Sequence, residues 1–262
     1  MNGPHYNRAG LPDPNCVADW ASLLLLALTG LVAGALNVVA GGGSFLTLPV
    51  LIFLGLPATV ANGTNRVGVL MQNLGGVWGF HRHRVLDWRW GAAVSLPAVA
   101  GAALGTWLAL GTSDEAFRRI LAGLMVLAAV GPVFFSSPKP GRARRPAGSF
   151  FLIVGFFLVG VYGGFIQAGV GFLVLALTSM AGLDLVRGNA VKVLSVMALT
   201  ILSLAIFATQ SSVDWLLGVS LGAGNFAGSL VGVRLTVVKG HAWVRTVVSV
   251  AVVAFAVKLW FF

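Results

Sequence analysis

The stretch AGGGSFLTLPVL, residues 40–51, places three consecutive glycines inside a strongly apolar part of the chain. Glycine in a helix interior costs roughly 0.5–1 kcal/mol relative to alanine, and irregular backbone at membrane depth persists only where protein or a water-filled cavity satisfies its polar groups. The stretch therefore predicts a helix break, followed by a short helix that begins at Ser44. The free N–H groups and positive dipole end of that helix would face a cavity and attract an anion. The alternative is that the glycines only permit close helix crossing.

The composition is that of an integral membrane protein. Hydrophobic residues make up 58% of the 262 residues and charged residues 9%, compared with about 25% charged residues in a soluble domain. Apolar runs of about 20 residues recur along the chain, and continuous runs such as residues 121–130 exclude the alternating pattern of an outer-membrane barrel. We therefore predict an all-α, multi-pass protein of the bacterial inner membrane, without a cleavable signal peptide.

The net charge of +10 is explained by membrane topology. Lys and Arg lie mostly in short segments between the apolar runs, as is typical of loops kept in the cytoplasm, so no nucleic-acid partner is predicted. The single cysteine, Cys16, excludes an intramolecular disulfide. The sequence contains no enzyme signature, nucleotide-binding loop or metal-ligand cluster. We expect a protein that is not an enzyme and that holds no cofactor or metal.

The chain contains an internal repeat. Asp87 and Asp214, each followed by Trp, are 127 residues apart, and several glycines recur at the same offset. The glycine-rich elements that begin at Gly41 and Gly169 match at an offset of 128 residues. Each repeat is predicted to contain a long helix, a short helix of about 12 residues after the glycines, and three further helices, which gives eight to ten helices in all. A segment of that length is too short to span about 30 Å of hydrocarbon.

The predicted divisions are an N-terminal tail of residues 1–18, a first repeat of residues 19–136, a basic cytoplasmic linker of residues 137–147, and a second repeat of residues 148–262. The loop HRHR at residues 81–84 is basic, whereas the corresponding loop of the second repeat has no positive charge. Equivalent loops are therefore predicted on opposite sides of the membrane, which makes the repeats inverted.

Several motifs resemble those of the sulfite exporter TauE/SafE family. They are AGGGSFLTLPVL, ANGTNRVGVL, GVYGGFIQAGVGF, NAVKVL and the paired Asp-Trp, and the resemblance covers nearly the whole chain from about residue 20. It implies a membrane transporter of sulfite, sulfonates or other small organic anions. Arg66 stands where a lysine is usual in the family, and Gln167 occupies a position that varies, so the identity of the anion stays open.

Two basic residues, Arg66 and Lys192, fall within predicted helices, whereas all acidic residues fall at loops or helix starts. A charge at the bilayer centre costs about 2.5–3.5 kcal/mol, so an unpaired base there suggests an anionic ligand. The alternative is that both side chains extend to the nearer interface. If they are unpaired in the site, replacing either by glutamine should leave the stability of the free protein unchanged or raise it.

The candidate substrate-binding residues combine these bases with the glycine breaks and with neutral hydrogen-bond donors. The set is Asn37, Gly41, Gly42, Gly43, Ser44, Asn62, Thr64, Asn65, Arg66, Gln167, Gly169, Gly171, Asn189 and Lys192. Further neutral donors are Gln72, Asn73 and Ser195. For each neutral side chain the alternative is a hydrogen bond between helices, worth about 0.6 kcal/mol on average.

The sequence thus predicts a secondary transporter of small anions, by family resemblance sulfite or an organosulfonate, that works by alternating access at an electropositive midplane site. The alternative function is an anion channel. The expected partners are the anionic substrate and the lipid bilayer, and the oligomeric state is left open, with a homodimer as one option. Asp87 and Asp214 are predicted to be helix N-caps, and His81 and His83 to be solvated.

Overall fold

The computed structural model describes residues 19–39, 41–134 and 148–239. Within these ranges the chain forms nine α-helices and no β-strand, which confirms the predicted all-α fold. The helices are α1 (Trp20–Val39), α2 (Ser44–Phe53), α3 (Ala58–Arg82), α4 (Trp88–Leu110), α5 (Asp114–Phe134), α6 (Ser149–Phe165), α7 (Val170–Met180), α8 (Leu185–Thr209) and α9 (Trp215–Lys239). The predicted N-terminal tail, Cys16, the basic linker and a last helix near residues 242–261 lie outside the described residues.

Four of these helices are long and apolar enough to cross a membrane: α1, α4, α8 and the Trp215–Val238 part of α9. Helix α3 has 25 residues but a polar composition, because buried Asn and Gln side chains interrupt its apolar surface. The chain is therefore a multi-pass membrane protein, as predicted.

Acidic side chains start several of the helices. The carboxylates of Asp87 and Asp214 accept hydrogen bonds from the backbone N–H groups of Trp90 and Leu217, which confirms both predicted N-caps. Asp184 caps α8 in the same way, and Asp19 caps α1. Hydrogen bonds from Ser22 lower the pKa of the Asp19 carboxyl below its usual value. These carboxylates stabilise helix N-termini, which carry a partial positive charge.

Backbone conformation repeats along with helix length. Helices α3 and α8 have equal lengths and begin 127 residues apart, as α4 and α9 also begin. Positive φ angles recur at the same offset, at Gly55 (+97°) and Gly182 (+86°) and at Arg84 (+57°) and Ser211 (+52°). The turns as well as the helices thus correspond between the two halves.

Helix α2 turns back along α1. The Cα of Gly43 lies so close to α1 that an added Cβ would be 2.2 Å from the Ala33 carbonyl oxygen. Farther along α2, Leu51 packs in one apolar cluster with Leu26, near the start of α1. Helices α1 and α2 therefore form an antiparallel hairpin whose tip is the glycine break.

Helix α7 turns back along α6 in the same way. Val170, at the start of α7, lies against Gly163, and Leu177 lies against Gly155, which is earlier in α6. Helices of 10 and 11 residues extend only about 15 Å, half the thickness of the hydrocarbon core. Both short helices are therefore re-entrant, which the sequence left undecided.

The two halves interlock through glycine-lined helix pairs, α1 with α9 and α4 with α6. A Cβ at Gly228 would lie 2.0 Å from the Leu31 carbonyl oxygen, and one at Gly105 would lie 1.9 Å from that of Val161. Small residues permit such backbone contact in membranes. The glycines that mark the repeat after each Asp-Trp are therefore packing residues.

Helix directions follow from these registers. In the α1–α9 pair, Gly224 lies against Ala27 and Gly232 against Ala35, so the two helices are parallel. Helices α3 and α8 are antiparallel, because Gly63 meets Phe207 whereas Gly76 meets Val193. The third helix of each half thus packs in the opposite direction against its counterpart.

Candidate functional site

The tips of the two helical hairpins meet. A Cβ built on Gly171 would lie 2.3 Å from the Cα of Gly41, and one on Gly41 would lie 2.5 Å from the Gly171 backbone. Gly41 also has a φ of +93°, which side chains other than glycine rarely adopt. The glycines therefore both break the helix and permit a close contact, so the two interpretations of the sequence are compatible.

Lys192 caps the C-terminal end of α1. Its ammonium Nζ donates hydrogen bonds to the carbonyl oxygens of Asn37 (2.8 Å) and Val38 (2.6 Å) and to Oδ1 of Asn189 (2.6 Å). The Nδ2 group of Asn189 is 3.4 Å from the carbonyl oxygen of Val39. The last carbonyls of a helix have no partner within the helix and carry a partial negative charge, which a cation stabilises.

Arg66 caps α6 in the equivalent way. Its Nη1 and Nη2 atoms donate to the carbonyl oxygens of Gly163 (3.2 Å) and Gly164 (2.6 Å), and Asn62 Nδ2 donates to that of Phe165 (2.9 Å). The guanidinium carbon also lies 4.8 Å from the centre of the Phe207 ring. In each half, an asparagine and a base on the third helix thus bind three consecutive carbonyls of the other half's first helix.

These contacts correct two expectations about the bases. Arg66 is 0% exposed and Lys192 is 3% exposed, so neither side chain extends to an interface. Neither base is unpaired, because both donate to backbone carbonyls. The expected effect of glutamine on stability therefore reverses, since removing either base leaves buried acceptors without donors, at about 1–3 kcal/mol each.

The paired tips carry a net positive charge. Two helix C-termini and the N-termini of α2 and α7 contribute opposite partial charges of about half a unit each, which cancel. In the described ranges every acidic side chain lies just before a helix or in its first turn, away from the tips. The positive charges of Arg66 and Lys192 therefore have no carboxylate partner there.

A small cavity lies beside the tips. Its polar lining is Asn37, Gln72, Asn73, Gln167 and Lys192, and Gly171 contributes backbone. The cavity volume is about 10 Å³, close to the minimum that a single water molecule requires. Among its linings, Gln72 and Asn73 were not in the predicted set of binding residues, although their amides on a buried helix face were a visible signal.

The remaining predicted residues lie around the cavity without lining it. Gly43 donates its N–H to Asn37 Oδ1 at 3.3 Å, Asn65 accepts a hydrogen bond from Thr47 Oγ1, and Thr64 Oγ1 accepts one from the Asp214 N–H. Gly42 and buried Ser44 belong to the first tip, and Gly169, with a φ of +75°, precedes the second. These contacts serve helix packing, whereas Asn62 and Asn189 serve as caps. His81 and His83 are exposed, as predicted.

Comparison with known proteins extends this description. The family profile described as "Sulfite exporter TauE/SafE" matches residues 26–259. A probable membrane transporter protein of Haemophilus influenzae is 28% identical over 232 residues, which cover 87% of this chain and 90% of that protein. The probable membrane transporter protein YfcA of Escherichia coli strain K12 is 28% identical over 242 residues, which cover 90% of this chain and 88% of that protein.

A further relative, the probable membrane transporter protein ORF9 of a Sinorhizobium species, is 25% identical over 241 residues, with 90% of this chain and 92% of that protein covered. No solved structure matches the chain at a significant level. The similarity to these transporters thus extends over almost all of both hairpins and the helices that pack on them.

Proposed function

Because the chain belongs to the sulfite exporter TauE/SafE family of membrane transporters, we propose that it is a secondary transporter of small anions, with sulfite or an organosulfonate as substrate. The observation that carries this proposal is the charge at the hairpin tips. Two buried cations, Arg66 and Lys192, lie where the tips meet, and the described part of the chain brings no carboxylate to them. An anion would supply the missing negative charge.

We assign the anion to the space between the tips, around Asn37, Gln167, Gly171 and Lys192. These residues already line the cavity, and the half-helix N-termini of α2 and α7 begin beside it. A sulfite or sulfonate group is larger than the present cavity of about 10 Å³. Binding therefore requires the tips to separate, which is the movement that alternating access needs.

Inverted repeats would let one movement open the site to either side of the membrane. The antiparallel packing of α3 and α8 and the exchange of first and fourth helices between the halves support this arrangement. In the membrane, the basic loop between α3 and α4 would then face the cytoplasm, and the loop between α8 and α9 would face outward.

Two introduced cysteines test the inverted topology. His83 and Gln210 occupy equivalent exposed positions, 127 residues apart, in these two loops. In a Cys16→Ser background, His83→Cys should react with a membrane-impermeant maleimide only from the cytoplasmic side, and Gln210→Cys only from the outside. Intact cells and inside-out vesicles provide the two directions of access. Labelling of both cysteines from the same side would contradict the inverted arrangement.

Purified protein in proteoliposomes tests transport itself. Vesicles loaded with unlabelled sulfite should accumulate labelled sulfite faster than empty vesicles, because a carrier exchanges substrate across the membrane, whereas the alternative, an anion channel, shows no such stimulation. The same protein should be stabilised against heat by its substrate, by about 2.7 kcal/mol at a hundredfold excess over Kd. Sulfate, thiosulfate, sulfonates and carboxylates form the comparison panel. Stabilisation by none of these anions would overturn the proposal.

A further inference from the structure

The side-chain amide of Gln167 has a fixed orientation. Its Nε2 group donates to Thr200 Oγ1. The single hydroxyl proton of Thr200 is itself donated to the Val196 carbonyl oxygen, at 2.5 Å. Because Thr200 has no second proton to give, it must accept from Gln167, and the amide nitrogen must face it. The amide oxygen Oε1 is therefore the atom left for another partner.

That oxygen has no hydrogen-bond partner among the described residues, although it is buried. Gln167 is only 3% exposed and lines the cavity beside the hairpin tips. A buried acceptor without a donor costs free energy, and such atoms in native proteins usually face a water molecule or a ligand. The cavity has room for about one water molecule, which satisfies Gln167 while no substrate is bound.

Lys192 supplies charge to the same cavity but no spare donor. Its three N–H groups are all used, on two carbonyl oxygens of α1 and on the amide oxygen of Asn189. An anion that offers only acceptor oxygens would therefore satisfy the charge but leave Gln167 Oε1 unpaired. An anion that also carries an O–H or N–H group would satisfy both.

We propose that Gln167 is a specificity-determining residue that selects anions carrying a hydrogen-bond donor, by accepting that donor on its buried amide oxygen beside the Lys192 charge. Hydrogen sulfite and hydroxyalkyl sulfonates belong to this class, whereas alkyl sulfonates and fully deprotonated oxyanions do not. The inference rests on the proposed function, because it requires an anion to bind between the tips.

The test compares two sulfonates of equal charge and nearly equal shape, 2-hydroxyethanesulfonate and propane-1-sulfonate, which differ by a hydroxyl in place of a methyl group. Affinities are measured by isothermal titration at constant ionic strength. The wild-type protein should bind the hydroxylated anion about tenfold more tightly, since the other leaves a buried acceptor unpaired. In Gln167→Leu the two affinities should come within about twofold of each other, chiefly because propane-1-sulfonate binds better.

Gln72→Leu is the matched control, because the oxygen of that cavity glutamine is already paired with Asn37 Nδ2, at 2.9 Å. It should weaken both sulfonates alike and retain the tenfold preference. Equal binding of both anions by the wild type, or a preference that persists in Gln167→Leu, would overturn the role of Gln167 while transport stands. The wild-type comparison decides even if the leucine variant does not fold. If neither sulfonate nor any other anion binds the wild type, the proposed function itself fails.

Discussion

Lys192→Met is expected to lower anion affinity by about ten- to a hundredfold and also to destabilise the protein. The affinity falls because the variant removes the only charge that lines the cavity among the described residues, and with it a charge-assisted interaction. The free energy of unfolding should fall by about 1–3 kcal/mol, since the carbonyls of Asn37 and Val38 lose their donor. Isothermal titration and thermal unfolding in detergent measure the two effects.

Arg187→Met is the control on the same helix. Arg187 lies near the start of α8 with its side chain 68% exposed, and it pairs only with Asp184. Its replacement should leave affinity unchanged and stability within about 0.5 kcal/mol. An unchanged affinity in Lys192→Met would remove Lys192 from the proposed site. A more stable Lys192→Met would show that the cost of burying the charge exceeds the contribution of its hydrogen bonds to the α1 cap.

Gly41→Ala is expected to be the most disruptive single methyl addition in the hairpin tips. The alanine would have to adopt a φ of +93°, which costs about 1–2 kcal/mol, and its Cβ would lie 2.5 Å from the backbone of Gly171. Forced overpacking adds about 1–3 kcal/mol. We therefore expect a loss of about 2–5 kcal/mol in the free energy of unfolding, measured by thermal unfolding in one detergent, together with a low yield of folded protein.

Two further glycines separate the contributions. Gly55 has a similar φ of +97°, but an added Cβ would meet nothing within 4 Å, so Gly55→Ala should show the conformational cost alone. Gly171 is free of the positive φ, and its added Cβ would lie 2.3 Å from Gly41, so Gly171→Ala should show the overpacking alone. If Gly41→Ala is no worse than Gly55→Ala, the two tips are not in contact.

Much of the fold is predictable from the sequence because its determinants are local. The bounds of each predicted helix within the described residues agree with the structure to within about two residues, since apolar runs, caps and turn glycines lie next to one another in the chain. The caps Asp87 and Asp214 are an example, as each carboxylate accepts a backbone N–H only three residues away. The repeat is likewise visible as a periodicity of residue types.

The tertiary structure alone decided what the buried bases do. The sequence offered a ligand site or the interface for Arg66 and Lys192, whereas the folded chain places both on helix carbonyls 97 to 155 residues away. Every residue has a carbonyl group, so no residue type marks these acceptors in the sequence. They become available only where a helix ends, and only the packing of one half against the other brings a base to that end. The contact of the two tips and the free oxygen of Gln167 depend on the same long-range packing.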